Sequence, residues 1–378
     1  MTLSLGATSL GVLPPFLAGT LALSLRAEFG FGEAQLGALL MVFTVHSAIG
    51  SMSAGRLVER IGAGWGLRLS LWGASACLLA TPLVARSWLD LMVIYALGGL
   101  SQAGVHPASN MAVFRGIPEH RHGLAFGAKQ AAIPAATLVA GLAVPVATNW
   151  LDWRTVFVGC AIAALGLSAL TGRLDGRPAR QDTTRQRTRV QLGRPGMLAL
   201  LALASGLAVA SIQPQAAFFV SYAVESGTSA EMAGTVLAAA GLSSIAMRIL
   251  LGIGIDRAVR ANPLAVISLF LLAGALGLTL LARGGTTAAL AIGLLIGVAL
   301  GWSWNGLLPY AVVRAFPHAP AAATAVPQSG LLVGAAAGPF IFGIVVEQVS
   351  YQAAWYGSAV LILPAAALMW WASRRLSR

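Results

Sequence analysis

Twelve apolar runs, beginning near Leu5, Leu36, Leu69, Leu91, Leu124, Val156, Met197, Ala233, Leu264, Ala288, Ala322 and Ala354, take up nearly the whole chain. A helix needs roughly 20 such residues to cross the hydrocarbon core of a bilayer. The expected fold class is therefore an all-α membrane protein with twelve transmembrane helices. Composition agrees: 57% of the 378 residues are hydrophobic and 10% are charged, against about 25% charged in soluble domains. Little of the chain is left over for a water-soluble domain.

The first residues, MTLSLGATSLGVLPPFLAG, have no positive leader and no small-residue cleavage pattern, so they read as a retained first helix. Cys77 and Cys160 lie inside apolar runs without metal-ligand spacing and are expected to pack. The net charge of +12 raises the question of nucleic acid, but its placement follows the membrane. With a cytoplasmic N-terminus and alternating helices, the outer loops carry only Arg26, Arg86, Arg154 and Arg283. Lys129, the chain's single lysine, and Arg248 fall inside apolar runs, and the remaining 18 of 24 basic residues are cytoplasmic. This is the positive-inside asymmetry, so topology explains the basic excess and no nucleic-acid partner is implied.

The sequence is also written twice. AVFRGIP at 112–118 and AVVRAFP at 311–317 share Ala, Val, Arg and Pro at an interval of 199. GRLVER at 55–60 and GIGIDR at 252–257 keep Gly, an acid and Arg in register, and Pro15 and Pro214 repeat the interval of 199. Six-helix units related in this way are a known transporter plan, two bundles rocking about a central site. The expected division is 1–172, an Arg-rich polar linker at 173–195, and 196–378. Glycines such as Gly98, Gly99 and Gly104, or Gly330, Gly334 and Gly338, offer small faces for close helix packing in lipid. Pro14, Pro134, Pro145, Pro327 and Pro339 fall within spans, where each frees a carbonyl that a neighbour or a wet cavity has to satisfy.

Between the second and third runs stands G-x-L-x-(acid)-R-x-G, formed by Gly55, Leu57, Glu59, Arg60 and Gly62. It resembles the signature of the major facilitator superfamily, and WRTVF at 153–157 and YQAAW at 351–355 add to the likeness. The resemblance covers essentially the whole chain and implies two pseudo-symmetric six-helix bundles that work by alternating access. Two departures stand out: Glu59 replaces the usual Asp, and Ala63 stands where a basic residue is usual. The family's cytoplasmic charge relay would then be rebuilt around Arg60 or Arg68. A carboxylate at the C-terminal end of a helix opposes that helix's dipole and needs a cationic partner or another helix's N-terminus. Gly55, Glu59, Arg60, Gly62, Arg68, Gly252, Asp256 and Arg257 are thus expected to form a cytoplasmic gate, the alternative being local pairing that only fixes topology.

Lys129 and Arg248 carry the functional argument. A cation at the bilayer centre costs on the order of 2.5–3.5 kcal/mol on insertion scales, and snorkelling to the interface is the competing explanation for each. The resemblance sets their two helices on opposite sides of a central cavity, where an anion between the cations relieves their repulsion. SIAMRILLGIGIDR, with Arg248, Gly252 and Asp256, resembles the helix 8 pattern of monocarboxylate and oxalate carriers; GAKQAAIP resembles the helix 5 segment of cyanate and organic-anion carriers. The expected partner is a small, carboxylate-like anion, and the expected setting is the lipid of the bacterial inner membrane, with both termini cytoplasmic and a monomeric transporter. His106 and Asn305 are 199 apart and should be symmetry mates. Gln102, Gln130, Gln213, Gln215, Trp302, Trp304 and Tyr310 are further polar and aromatic candidates for the site, each as readily an interhelical hydrogen bond.

All twelve acids are placed in loops or at helix ends, which leaves no embedded carboxylate as a proton relay. His46, His106 and Lys129 remain as proton-coupling candidates, with exchange and facilitated diffusion equally open. A multidrug antiporter of the same superfamily is the first rival. Its usual G-x-x-x-G-P pattern is absent from helix 5, which has GLAVP at 141–145; here it runs from Gly334 to Pro339. A membrane enzyme or sensor is the more distant rival; no catalytic triad spacing, metal-type cluster or phosphate loop is visible, and no cofactor is expected.

Overall fold

The computed structural model describes residues 2–116, 130–174, 195–257, 262–316 and 318–376, apart from the side chains at 2, 52, 113–116, 173–174, 252–253, 255–257 and 320–321. The described chain forms helical rods that are here numbered α1 to α12. In the first half they are α1 (Thr2–Thr20, continued by Ala22–Phe29), α2 (Glu33–Ile61), α3 (Ala63–Leu83), α4 (Trp88–Gln102, continued by Val105–Gly116), α5 (Ala132–Asn149) and α6 (Trp153–Leu170). In the second they are α7 (Pro195–Ile212, continued by Pro214–Glu225), α8 (Ala230–Arg257), α9 (Pro263–Arg283), α10 (Thr287–Ala299, passing through the 3-10 turn Ser303–Gly306 into Leu307–Ala315), α11 (Pro320–Gln348) and α12 (Tyr351–Leu376). Eleven described segments are long and apolar enough to cross a membrane. The exception, α3, has 21 residues but is diluted by Arg68, serines and glycines. Its Arg68 is tied down: Nε lies 3.4 Å from the Ser168 carbonyl of α6, and the guanidinium stacks 4.6 Å from the Trp65 ring.

The duplication is visible in which rods touch. In the first half α1 packs on α5, α2 on α4, and α3 on α4 and α6; in the second α7 packs on α11, α8 on α10, and α9 on α10 and α12. Adding six to each partner converts one set into the other, so the fold is two pseudo-symmetric six-helix bundles. Between bundles the contacts are α5 with α8, α2 with α11, and α1 with α7. Small residues set these distances. A Cβ at Gly141 would lie 2.5 Å from the Ala238 nitrogen, and one at Gly241 would lie 2.7 Å from the Leu138 nitrogen. No larger residue fits without parting the helices. Gly62, with φ 92°, lets α3 begin directly where α2 stops, in a backbone conformation L side chains rarely adopt.

Both described ends of the chain lie at one end of the rods, here the terminus end; the other is the far end. The close inter-bundle approaches lie towards the far end. A Cβ at Gly37 of α2 would sit 2.7 Å from the Phe340 Cα of α11, one at Gly343 would sit 2.8 Å from the Glu33 carbonyl carbon, and one at Gly234 would sit 2.5 Å from Val144. Towards the terminus end, Ser51, Ser53 and Arg56 of α2 and Gln328 and Ser329 of α11 are exposed, and a Cβ at Gly55 would meet nothing within 4 Å. Among the described residues, the bundles are joined at the far end and parted at the terminus end.

Candidate functional site

Arg248 lies on α8 and is 4% exposed. Its guanidinium reaches across to the first bundle, where Nη1 donates to the Gln130 carbonyl just before α5, and back to its own bundle, where Nη2 donates to the Trp302 carbonyl at 3.2 Å. The backbone explains both acceptors. The helical partner of the Gln130 carbonyl would be the N–H of residue 134, which is proline and has none, so that oxygen is free. Trp302 sits in the break of α10, where a 3-10 turn interrupts the regular ladder. The freed carbonyl expected from Pro134 therefore finds a cation from the opposite bundle.

The site is under-satisfied. Arg248 Nε has no partner, and no carboxylate pairs with Arg248 among the described residues. Removing a charged group from water costs several kcal/mol per ion, and a hydrogen bond to a charged group contributes about 1.5–3 kcal/mol. Two bonds to neutral carbonyls roughly offset that cost without neutralising the charge. The Ser244 and Ser303 hydroxyls, 3.5 Å apart, join α8 to the same break in α10.

The other candidate residues fall in several places. Trp302 is 3% and Asn305 is 7% exposed. Asn305 lines a small crevice between α10 and α11 with Thr324, Pro327 and Gln328. Gln102, 8% exposed, accepts a hydrogen bond from the Ser47 hydroxyl, which fastens α4 to α2. The His46 Nδ1 donates to the Val42 carbonyl of its own helix at 2.8 Å. His106 is half-buried in the second segment of α4, and Gln213 is half-buried at the break before Pro214. Tyr310 is 42% exposed. Lys129 lies outside the described residues. Arg248, Gln130 and Trp302 thus converge through backbone atoms, while Gln102, His46 and Tyr310 have other surroundings.

Of the gate residues, Glu59 and Arg60 are exposed, and no ion pair involves either among the described residues. Gly252, Asp256 and Arg257 end the described backbone of α8, and their side chains lie outside the described ones. Arg68 binds α6 rather than α2.

Two further sequence candidates, Gln215 and Trp304, have no exposed surface, and among the described residues the Gln215 side-chain amide and the Trp304 indole N–H lack partners. The sequence reading overlooked the burial of Glu33, one of the acids placed in loops or at helix ends, which is 9% exposed and held between the bundles. No local pattern marks it, because burial here depends on helices distant in sequence.

The model of the Major Facilitator Superfamily matches residues 3–326. The chain belongs to that superfamily. It is a transporter and an integral membrane protein, and not an enzyme. No curated protein sequence matches it. Among solved structures, the transporter resembles a bacterial homologue of the human lysosomal transporter Spinster in an inward-facing, occupied conformation, with a TM-score of 0.75, 15% identity, and 98% of this chain and 96% of that one covered. It also resembles a D-xylose-proton symporter, with a TM-score of 0.79, 17% identity, and coverage of 97% and 95%. The unoccupied inward-facing form of the Spinster homologue matches with a TM-score of 0.74 and 15% identity over 99% and 96%. At these identities the likeness concerns the fold, which hosts many cargoes.

Proposed function

We propose that this transporter moves a small organic anion of carboxylate type by alternating access, with Arg248 as a principal contact. The observation that carries the reading is a buried cation, 4% exposed, whose described partners are two neutral carbonyls. Such a site prefers a negative cargo. One charge pair at 4 Å with an effective dielectric of about 20 gives roughly 4 kcal/mol before desolvation, equivalent to about a thousandfold in affinity. A lipophilic cation meets the same term with the opposite sign, which disfavours the multidrug reading.

Lys129, the sequence neighbour of Gln130, is the second cation of the proposal, and Gln130, His106, Asn305, Trp302, Gln102, Gln213 and Tyr310 are its secondary contacts. His46, His106 and Lys129 are the groups through which a proton would be co-transported. The arginine distribution supports an inner-membrane orientation with both termini cytoplasmic, and in that orientation the parted terminus end makes this an inward-facing conformation. The units 1–172 and 196–378 then rock about the site, joined by 173–195, with Glu59 and Asp256 closing the cytoplasmic end in the opposite state. One chain contains both halves and works as a monomer.

The deciding measurement is a thermal-shift screen of the purified transporter against carboxylates, cyanate, nitrate and amino acids, repeated on Lys129→Ala and Arg248→Ala. Stabilisation by anions that is lost in both variants supports the site. Stabilisation by cations or neutral lipophiles alone removes the anion reading.

A further inference from the structure

The outer surface at the terminus end combines arginine with exposed tryptophan. The main contacts between bundles are made by α1, α2, α5, α7, α8 and α11, which leaves α3 with α6, and α9 with α12, as outer pairs equivalent by the shift of six. None of these four helices contains an acidic residue. At the terminus end each pair is tied together. The Trp72 indole of α3 donates to the Ser168 hydroxyl of α6 at 3.0 Å, and the side-chain amide of Asn262, which caps α9, donates to the Ser373 carbonyl of α12 at 2.9 Å. Beside both ties stand arginines set over tryptophan rings. Arg68 lies 4.6 Å from the Trp65 ring in one pair, and Arg374 and Arg375 lie 5.5 and 5.2 Å from the Trp370 and Trp371 rings in the other. Trp65, Trp370 and Trp371 are 43%, 44% and 45% exposed.

The order of side chains along α12 follows the layers of a bilayer leaflet. Val360, Leu361 and Leu363 are exposed, Trp370 and Trp371 come next, and Arg374 and Arg375 follow. At 1.5 Å per residue Arg374 stands about 16 Å beyond Leu363 and about 6 Å beyond Trp370. Apolar surface thus gives way to an aromatic step and then to cations, as hydrocarbon gives way to interface and headgroup. On α3 the order runs the other way along the chain, from Trp65 and Arg68 to the exposed Leu69, Trp72 and Leu83, because that helix leaves the terminus end. The helix dipole favours cations at the end of α12 but gives no reason for one near the start of α3. Nor is the pattern a copy made by the duplication, since the first pair takes its arginine from the third helix of its bundle and the second pair from the sixth. Different residues at equivalent places point to a shared partner. We propose that each outer pair binds the phosphate of an anionic phospholipid, such as phosphatidylglycerol, in the leaflet at the terminus end. A ring takes the face of a guanidinium, and the N–H bonds in the guanidinium plane suit the oxygens of a phosphate. The acyl chains of the lipid then lie along the exposed apolar residues of the same helix.

Native mass spectrometry tests this on the full chain, released from detergent after titration with phosphatidylglycerol or with phosphatidylcholine of the same acyl chains. Two molecules of phosphatidylglycerol should be held more tightly than any phosphatidylcholine. Each arginine beside an anionic headgroup contributes about fivefold in affinity, so Arg374→Gln combined with Arg375→Gln should weaken one of the two bound lipids by about thirtyfold and leave the other. Trp370→Leu combined with Trp371→Leu keeps both charges and should weaken the same lipid; it decides the matter if the arginine variant does not fold. Arg56→Gln, at an exposed arginine of α2 at the same end, should hold both lipids as the unaltered chain does. Inorganic phosphate in excess should displace neither. The proposal is overturned if phosphatidylcholine is held as tightly, if either α12 variant keeps both lipids at full strength, if Arg56→Gln costs as much as the arginine variant, or if inorganic phosphate displaces the lipid.

Discussion

Gly37→Val tests whether the far-end contact between α2 and α11 holds this conformation. A Cβ at Gly37 would lie 2.7 Å from the Phe340 Cα and 2.9 Å from the Pro339 carbonyl carbon, whereas ordinary contacts begin at 3.4 Å. Both obstacles are backbone, so no rotamer change relieves them, and each belongs to a 29-residue helix of a different bundle. The relief available is to separate the bundles at that end by about 1 Å or more, a strain of about 1–3 kcal/mol for an overpacked contact. Since about 1.4 kcal/mol is tenfold in a population ratio, the closed far end should lose between fivefold and a hundredfold in occupancy. Maleimide labelling of Ala34→Cys, which the closed contact shields, should speed up by the same factor in Gly37→Val. Gly330→Ala is the control: it crowds Ala202 inside the second bundle, so it should lower the melting temperature without changing the labelling rate. An unchanged labelling rate in a folded Gly37→Val would refute the idea that this contact sets the conformation.

Three further outcomes are expected. Ser47→Ala removes the hydroxyl that donates to Gln102 and should cost about 1 kcal/mol of stability in chemical denaturation; equal stability would mean that this bond does not fasten α4 to α2. Arg68→Ala loses both the α6 carbonyl and the Trp65 stack, worth about 1–2 kcal/mol together, and thermal unfolding should show it; equal stability would mean that α3 is anchored elsewhere. Glu59→Gln should leave the parted terminus end as it is, because Glu59 is exposed here, and should deplete the opposite state; unchanged cysteine accessibility at that end in a transport cycle would remove its gating role.

What the sequence revealed followed from local rules. Run length and the interval of 199 anticipate the twelve rods and the shift-by-six pairing, since a transmembrane helix is specified by its own residues. Gly330, Gly334 and Gly338 foretold a close approach, and it occurs against α7. Pro134 foretold a free carbonyl, but only tertiary structure could supply Arg248 as its donor. For the same reason Gln102 read as either a ligand contact or an interhelical hydrogen bond, and only the fold supplies Ser47 as its donor. Glu33 read as one of the acids in loops or at helix ends, and it does start α2; its burial was not legible because Tyr351, 318 positions away, helps to make it.

The seat of Arg248 is made of main-chain oxygens at 130 and 302, and every amino acid supplies that atom. Side-chain drift at those two positions leaves the cradle unchanged, so neither is expected to tolerate few residue types on that account. What matters is the bend that exposes each oxygen, and for position 130 the determinant is the ring four places later. In a variant library the seat of Arg248 should survive most replacements at 130 and 302, and few at 134.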